Sequence, residues 1–159
     1  IAQEMGILNQ GDLVVQTAGT LTGISGSTDL IKVGLVRKIV SRGISIGEIG
    51  VTGKARIIKN NLDMSLICPG EIIFVPEELM ENIPLSKNIA GIVTNQNVDD
   101  VYALYNKNNK KISTICNLEN IDNHQISNGD LITLQLNEGV IYMGQIEDDD
   151  DAIDKYKYV

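Results

Sequence analysis

Short runs of Val, Ile and Leu, each closed by glycine or proline, recur along most of this chain. Runs of that length with β-branched residues read as strands, because a helix needs a longer apolar period. They predict strands at 12–17, 30–36, 50–58, 71–75, 89–94, 112–116, 131–136 and 140–143. Arg37 to Gly43 reads as a short basic strand or linker. Pro69-Gly70, Asn128-Gly129-Asp130 and Glu138-Gly139 supply turns between the runs. A short helical turn is expected at 77–82, opened by Pro76. The period lengthens once, at Val98, Val101, Tyr102, Leu104 and Tyr105, which share a helix face. Asn95 or Asn97 could cap that helix, with Asp99 and Asp100 suited to the dipole of its first turn. The fold class expected is α/β and β-rich.

Charge narrows the function. The 159 residues carry 13 Lys and Arg against 21 Asp and Glu, a net charge of -8. Such a chain does not neutralise a phosphate backbone, so nucleic acid is not an expected partner. No apolar run approaches the ~18–20 residues that span a bilayer, and no leader pattern opens the chain. A cytoplasmic protein without a membrane partner is expected. Cys68 and Cys116 are too few for a disulfide framework, and no Cys/His cluster suggests a metal. The last residues, 147–159, begin with six acids in eight positions and read as a solvated acidic tail. The chain opens on Ile1 in a helical-looking stretch, which suggests a piece of something longer.

Few residues suit chemistry. Gly23, Ser25, Gly26, Ser27 and Thr28 could offer backbone N–H groups and hydroxyls to a phosphate. The loop is not a phosphate-binding loop of the Gly-Lys-Ser/Thr type, since it lacks that ending and a strand follows it. A plain connection between two strands competes with the binding reading. The only histidine, His124, sits before a turn and reads as a surface residue without a catalytic partner. Both cysteines read as small apolar residues more than as nucleophiles.

Two resemblances organise these features. Gly11-Asp12-Leu13-Val14-Val15, Thr17-Ala18-Gly19 and the stretch from Gly23 through Thr28-Asp29-Leu30-Ile31-Lys32-Val33 resemble the C-terminal end of pyruvate kinases. Asp29 stands where that pattern has Asn. The resemblance implies that the Gly23 to Thr28 loop is part of an effector site for a sugar phosphate or nucleotide. The Ser/Thr-rich half of such a site lies upstream in the family and is absent here. So are the catalytic carboxylates and lysine of the family's barrel, and no catalytic residue is expected in this chain.

Residues 45–145 are similar to the mobile, or swivelling, domain of phosphoenolpyruvate-utilising enzymes. The match runs through Ile49-Gly50-Val51-Thr52-Gly53-Lys54-Ala55-Arg56, Pro69-Gly70-Glu71-Ile72-Ile73-Phe74-Val75 and Ile89-Ala90-Gly91-Ile92-Val93-Thr94. It ends with Asn128-Gly129-Asp130-Leu131-Ile132-Thr133 and Glu138-Gly139-Val140-Ile141-Tyr142. In that family a histidine after the strand ending at Thr94 accepts a phosphoryl group. Counting without a gap, Tyr102 falls at its place. A phenol with an unperturbed pKa near ~10 replaces a nucleophilic imidazole poorly. Asp99 and Asp100 would also repel a phosphoryl donor.

Together the resemblances imply the end of a pyruvate kinase C domain at 1–37 and a mobile-type domain at 38–146. The expected fold is thus a swivelling β/β/α-type domain preceded by a two-strand remnant. The parent would convert phosphoenolpyruvate and ADP to pyruvate and ATP in glycolysis, as a homotetramer using Mg and K. The chain itself would hold no cofactor and be inactive, with a structural or regulatory role. Its partners would be the upstream pyruvate kinase domains and neighbouring subunits. Two other readings are a stand-alone phosphotransfer domain that has lost its phosphohistidine, and a small phosphate-binding module using the Gly23 to Thr28 loop.

Overall fold

The computed structural model describes residues 5–9, 12–18, 30–119, 121 and 125–145. The loop carrying Gly23, Ser25, Gly26, Ser27 and Thr28, the histidine at 124 and the acidic tail lie outside the described residues. The chain divides into two compact units, one holding the first two strands and the other spanning Ile39–Ile146.

The first unit contains β1 (Leu13–Ala18) and β2 (Leu30–Leu35), paired antiparallel with Val15 opposite Val33. The Val36 N–H donates to the Asp12 carbonyl at 2.9 Å and closes the open end of the pair. Asp12 also accepts the Asn9 N–H at 2.7 Å. Leu13 and Val15 share one face of β1 and are exposed, as the alternation of a strand dictates.

The second unit is an eight-stranded sheet. Its strands are β3 (Ile39–Arg42), β4 (Ile44–Ile46), β5 (Val51–Ile57), β6 (Ile72–Phe74), β7 (Gly91–Val93), β8 (Thr114–Cys116), β9 (Leu131–Gln135) and β10 (Val140–Met143). They lie in the order β3-β10-β9-β5-β6-β7-β8-β4. Strands β5 to β8 run parallel, and the remaining pairings are antiparallel. Parallel neighbours need a crossover. The three crossovers contain a 3-10 turn at Asp63–Leu66, another at Glu77–Asn82, and helix α1 (Val98–Asn108). α1 is the single α-helix among the described residues.

Strands β6, β7 and β8 are buried on both faces, which suits their largely apolar sequences. Ile73, Val75, Ile92 and Cys116 pack with Met64, Met80, Val101, Leu104 and Tyr105 of the crossovers. Ile72, Phe74, Val93 and Ile115 point the other way, onto Ala55, Ile132, Leu134 and Ile141. Period-two alternation thus feeds two cores from one set of strands.

The outer strands of the sheet are β3 and β4, and a single residue, Gly43, joins them. The two edges therefore meet, and the sheet is nearly closed into a barrel. The Gly43 N–H donates to the Gly139 carbonyl at 2.9 Å, beside the Arg42–Val140 and Ile44–Cys116 pairings. Closure of this kind shortens the free edge on which another strand could pair.

The β-rich α/β architecture is as expected, with two differences. Ile44–Ile46 forms a strand that the sequence did not single out, because three residues are too few to display a period. Asp63–Leu66 forms a 3-10 turn where no element was expected. There Asn60 Oδ1 accepts the Leu62 N–H at 2.9 Å, and Asp63 Oδ2 accepts the Lys59 N–H at 2.8 Å. Short polar side chains commonly build turns in this way.

The closure sets a test. A Cβ on Gly43 would lie 2.5 Å from the Cys116 carbonyl oxygen and 2.7 Å from Ile115 Cγ2. At Gly70, with φ +81, a Cβ meets nothing within 4 Å. Gly43→Ala should lower stability by about 1–3 kcal/mol through overpacking. Gly70→Ala should cost about 1 kcal/mol through backbone strain alone. Urea midpoints of the two variants would check this, and equal midpoints would remove the steric account of the seam.

Candidate functional site at the β7 to α1 turn

The sequence placed its one candidate for transfer chemistry after β7. Thr94 is fully buried, and its Oγ1 accepts the Gln96 N–H at 3.2 Å. The Asn95 side chain turns away from α1 and accepts the Glu77 N–H at 2.8 Å. Asn97 is the cap: its Oδ1 accepts the Asp100 N–H at 2.9 Å. From the next loop, the Asn117 N–H donates to the Gln96 carbonyl at 2.8 Å. Asn97 thus begins α1, Asn95 is tied to the 3-10 turn at Glu77–Asn82, and Gln96 Oε1 is buried without a partner.

Tyr102 lies on the outer face of α1 and is 43% exposed. It is the fifth residue of the helix, beyond the first turn whose free N–H groups could hold an anion. Asp99 and Asp100 fill that first turn. The electrostatics there favour the helix and disfavour a phosphoryl group. A phosphotransfer domain acting at this position is not supported by this geometry. The inner face of α1 carries Val101, Leu104 and Tyr105. Tyr105 Oη hydrogen-bonds the buried Thr114 Oγ1, which donates in turn to the Ile112 carbonyl at 2.8 Å. Burial pushes the Tyr105 phenol up to about 12, outweighing the opposing effect of Thr114.

Two polar clusters went unremarked in the sequence. Arg56 on β5 forms a paired contact with Glu71 beside β6, Nη2 to Oε1 at 2.6 Å and Nε to Oε2 at 3.1 Å. The Cys68 N–H also donates to Glu71 Oε2, at 2.9 Å. Glu71 is buried, and its hydrogen bond from Arg56 holds it below the ordinary glutamate range, against the opposing effect of burial. Arg56 is raised correspondingly, first by the same bond. The second cluster is Lys87, whose Nζ donates to the carbonyls of Met64, Ser65 and Ile67 at 3.2, 3.2 and 3.0 Å. The first cluster ties β5 to the end of the crossover before β6, and the second ties the two 3-10 crossovers to each other. A single acid in the turn Pro69-Gly70-Glu71 ahead of an apolar strand was the available signal for the first. Cys68 is exposed, while Cys116 is buried and its thiol is pushed up by burial. Among the described residues, no group of three His, Cys, Asp or Glu could hold a metal ion. No helix of the described residues is long and apolar enough to cross a membrane.

No family model matches the chain. It is 35% identical over 146 residues to pyruvate kinase 2 of Synechocystis, covering 92% of this chain and 24% of that protein. It is 31% identical over 138 residues to the pyruvate kinase of Staphylococcus saprophyticus, covering 86% of this chain and 23% of that protein. The chain thus spans about a quarter of the length of the curated relatives it matches. Solved structures found similar include those of the microcin C7 self immunity protein MccF. An apo form of an inactive mutant gives a TM-score of 0.41 at 11% identity, covering 87% of this chain and 52% of that one. The wild-type apo form gives 0.40 at 14% identity.

These findings correct the expectations in extent. The structural comparison brings up MccF where a swivelling domain or a pyruvate kinase C domain was expected. The fold is a nearly closed, β-rich α/β sheet. A TM-score this low carries no argument for MccF in turn, nor against the sequence likeness. Catalysis, Mg and K, effector, homotetramer and neighbouring subunits were implied for a whole pyruvate kinase. A match over a quarter of such a protein does not carry them to this chain.

The Arg56–Glu71 pair gives a pH test. Glu71 is depressed in the fold, so its contribution is complete above the unfolded pKa and is lost as pH falls through the folded one. Arg56→Met should cost about 1–3 kcal/mol at neutral pH, because it leaves a buried carboxylate with one backbone donor. The gap between variant and parent should narrow in acid, once Glu71 is protonated in both. Urea melts from pH 3 to 7 would measure it, and a gap independent of pH would mean that packing of the Arg56 stem dominates.

Proposed function

We propose that this chain is a non-catalytic part of a longer enzyme of the pyruvate kinase kind, and that its second unit serves that enzyme structurally. One observation carries the reading: the 35% likeness to a pyruvate kinase extends over 92% of the chain, and so reaches into both units. The local geometry agrees with a structural role. Polar groups in the described second unit are spent on caps, crossover contacts and the Arg56–Glu71 pair. On this reading the units divide near residue 38, and the loop of Gly23, Ser25, Gly26, Ser27 and Thr28 is one half of a phosphate site completed elsewhere in the longer protein.

The test begins with the native polypeptide in its source cell. A mass several times 17.3 kDa, with pyruvate formation dependent on phosphoenolpyruvate and ADP, is expected. Removing everything after residue 38 from that polypeptide should change turnover at saturating substrate by less than about tenfold, since the deleted part supplies no transition-state contact. Its thermal midpoint or assembly state should change instead. A native mass near 17 kDa, or a longer polypeptide without this activity, overturns the proposal.

A further inference from the structure

Asn128-Gly129 is the single Asn-Gly dipeptide in the sequence, although the chain has 15 asparagines. In an open chain this dipeptide is chemically labile. The glycine nitrogen attacks the asparagine side-chain carbon, unhindered because glycine has no Cβ. A C–N bond forms, the amide nitrogen loses its proton, and ammonia leaves. Water then opens the resulting succinimide at either carbonyl, giving aspartate or isoaspartate. No oxidant or reductant is required.

The fold holds both reacting groups against one strand. The Gly129 N–H donates to the Ala55 carbonyl at 2.8 Å. Asn128 Oδ1 accepts the Ile57 N–H at 2.7 Å. The Ala55 N–H donates to the Asp130 carbonyl at 2.8 Å, and the Ser127 N–H to Asp130 Oδ2 at 2.8 Å. This turn prolongs the β5–β9 ladder past its last pair, Lys54 with Leu131. The Ile57 N–H polarises the Asn128 carboxamide, which by itself favours attack. The attacking nitrogen, however, must leave Ala55, give up the proton it now donates, and swing toward the side chain. Gly129 is held at φ +89, so this movement requires the turn to come away from β5. Asn128 is exposed, and water for the second step has access to it.

We propose that Asn128 is a spontaneous deamidation site gated by release of the 127–130 turn from β5. Closed, the turn protects it; each opening exposes it to the reaction. The isoaspartate product lengthens the main chain by a methylene group at the point where the turn must match Ala55 and Ile57. Modification therefore loosens the clasp that had prevented it.

The full chain would be incubated at neutral pH, natively and in concentrated urea, with peptide mapping and an isoaspartate assay over time. In urea, residue 128 should convert ahead of every other asparagine. In the native protein its conversion should be slower by about tenfold or more, the factor set by the free energy of local opening. At urea concentrations below unfolding, its rate should rise in step with hydrogen exchange of the Gly129 amide. Asn128→Ser should abolish the earliest isoaspartate signal. Equal native and unfolded rates would overturn the gate, and earlier conversion at another asparagine in urea would overturn the site.

Discussion

The second unit depends on the chain crossing from one edge of its sheet to the other within one residue. Gly43 ends β3, which pairs with β10, and begins β4, which pairs with β8. The space there excludes any side chain, since a Cβ on Gly139 would lie 2.4 Å from the Gly43 carbonyl oxygen. Gly139 also sits at φ +65, where glycine is tolerated best. Two glycines distant in sequence are therefore required for the same few ångströms. Once they meet, the order of all eight strands is constrained, because the first two occupy the outermost positions.

From that closure follows the division of the core. A nearly closed sheet has an inside and an outside, and buried parallel strands must satisfy both. Ile72 and Phe74 fill the inside with Leu134 and Ile141, while Ile73 and Val75 meet the crossovers outside. The crossovers before β6 and β7 use 3-10 turns, which bury one methionine each, Met64 and Met80. Methionine suits such irregular gaps because it is unbranched and flexible. Lys87 then supplies donors to the carbonyls that the first of these turns leaves open.

What the sequence made legible was local. The run Val140 to Met143 after Glu138-Gly139 is β10; of the two cap candidates Asn97 is the one used, and of the expected helix face Val101, Leu104 and Tyr105 are buried while Tyr102 is exposed. Each of these is decided by neighbours within a turn or a strand. Ile44–Ile46 was not legible, since its strand character comes from pairing with Thr114–Cys116 far along the chain. The Arg56–Glu71 pair was hidden for the same reason: the two residues meet only when β5 and β6 lie side by side. Tyr102 could be counted into a family's active position, yet only the helix shows that this position faces solvent beyond the first turn.

Sequence and backbone likeness weigh differently here for a physical reason. A curled sheet with parallel crossovers satisfies general rules of burial, handedness and hydrogen bonding, so slight geometric likeness between unrelated chains is expected of it. A 35% identity sustained over 146 residues has no such general cause. The fold has particulars of its own: Gly43 and Gly139 at the seam, and Glu71 held by Arg56 and the Cys68 N–H. Each of these groups fixes one part of the fold against another.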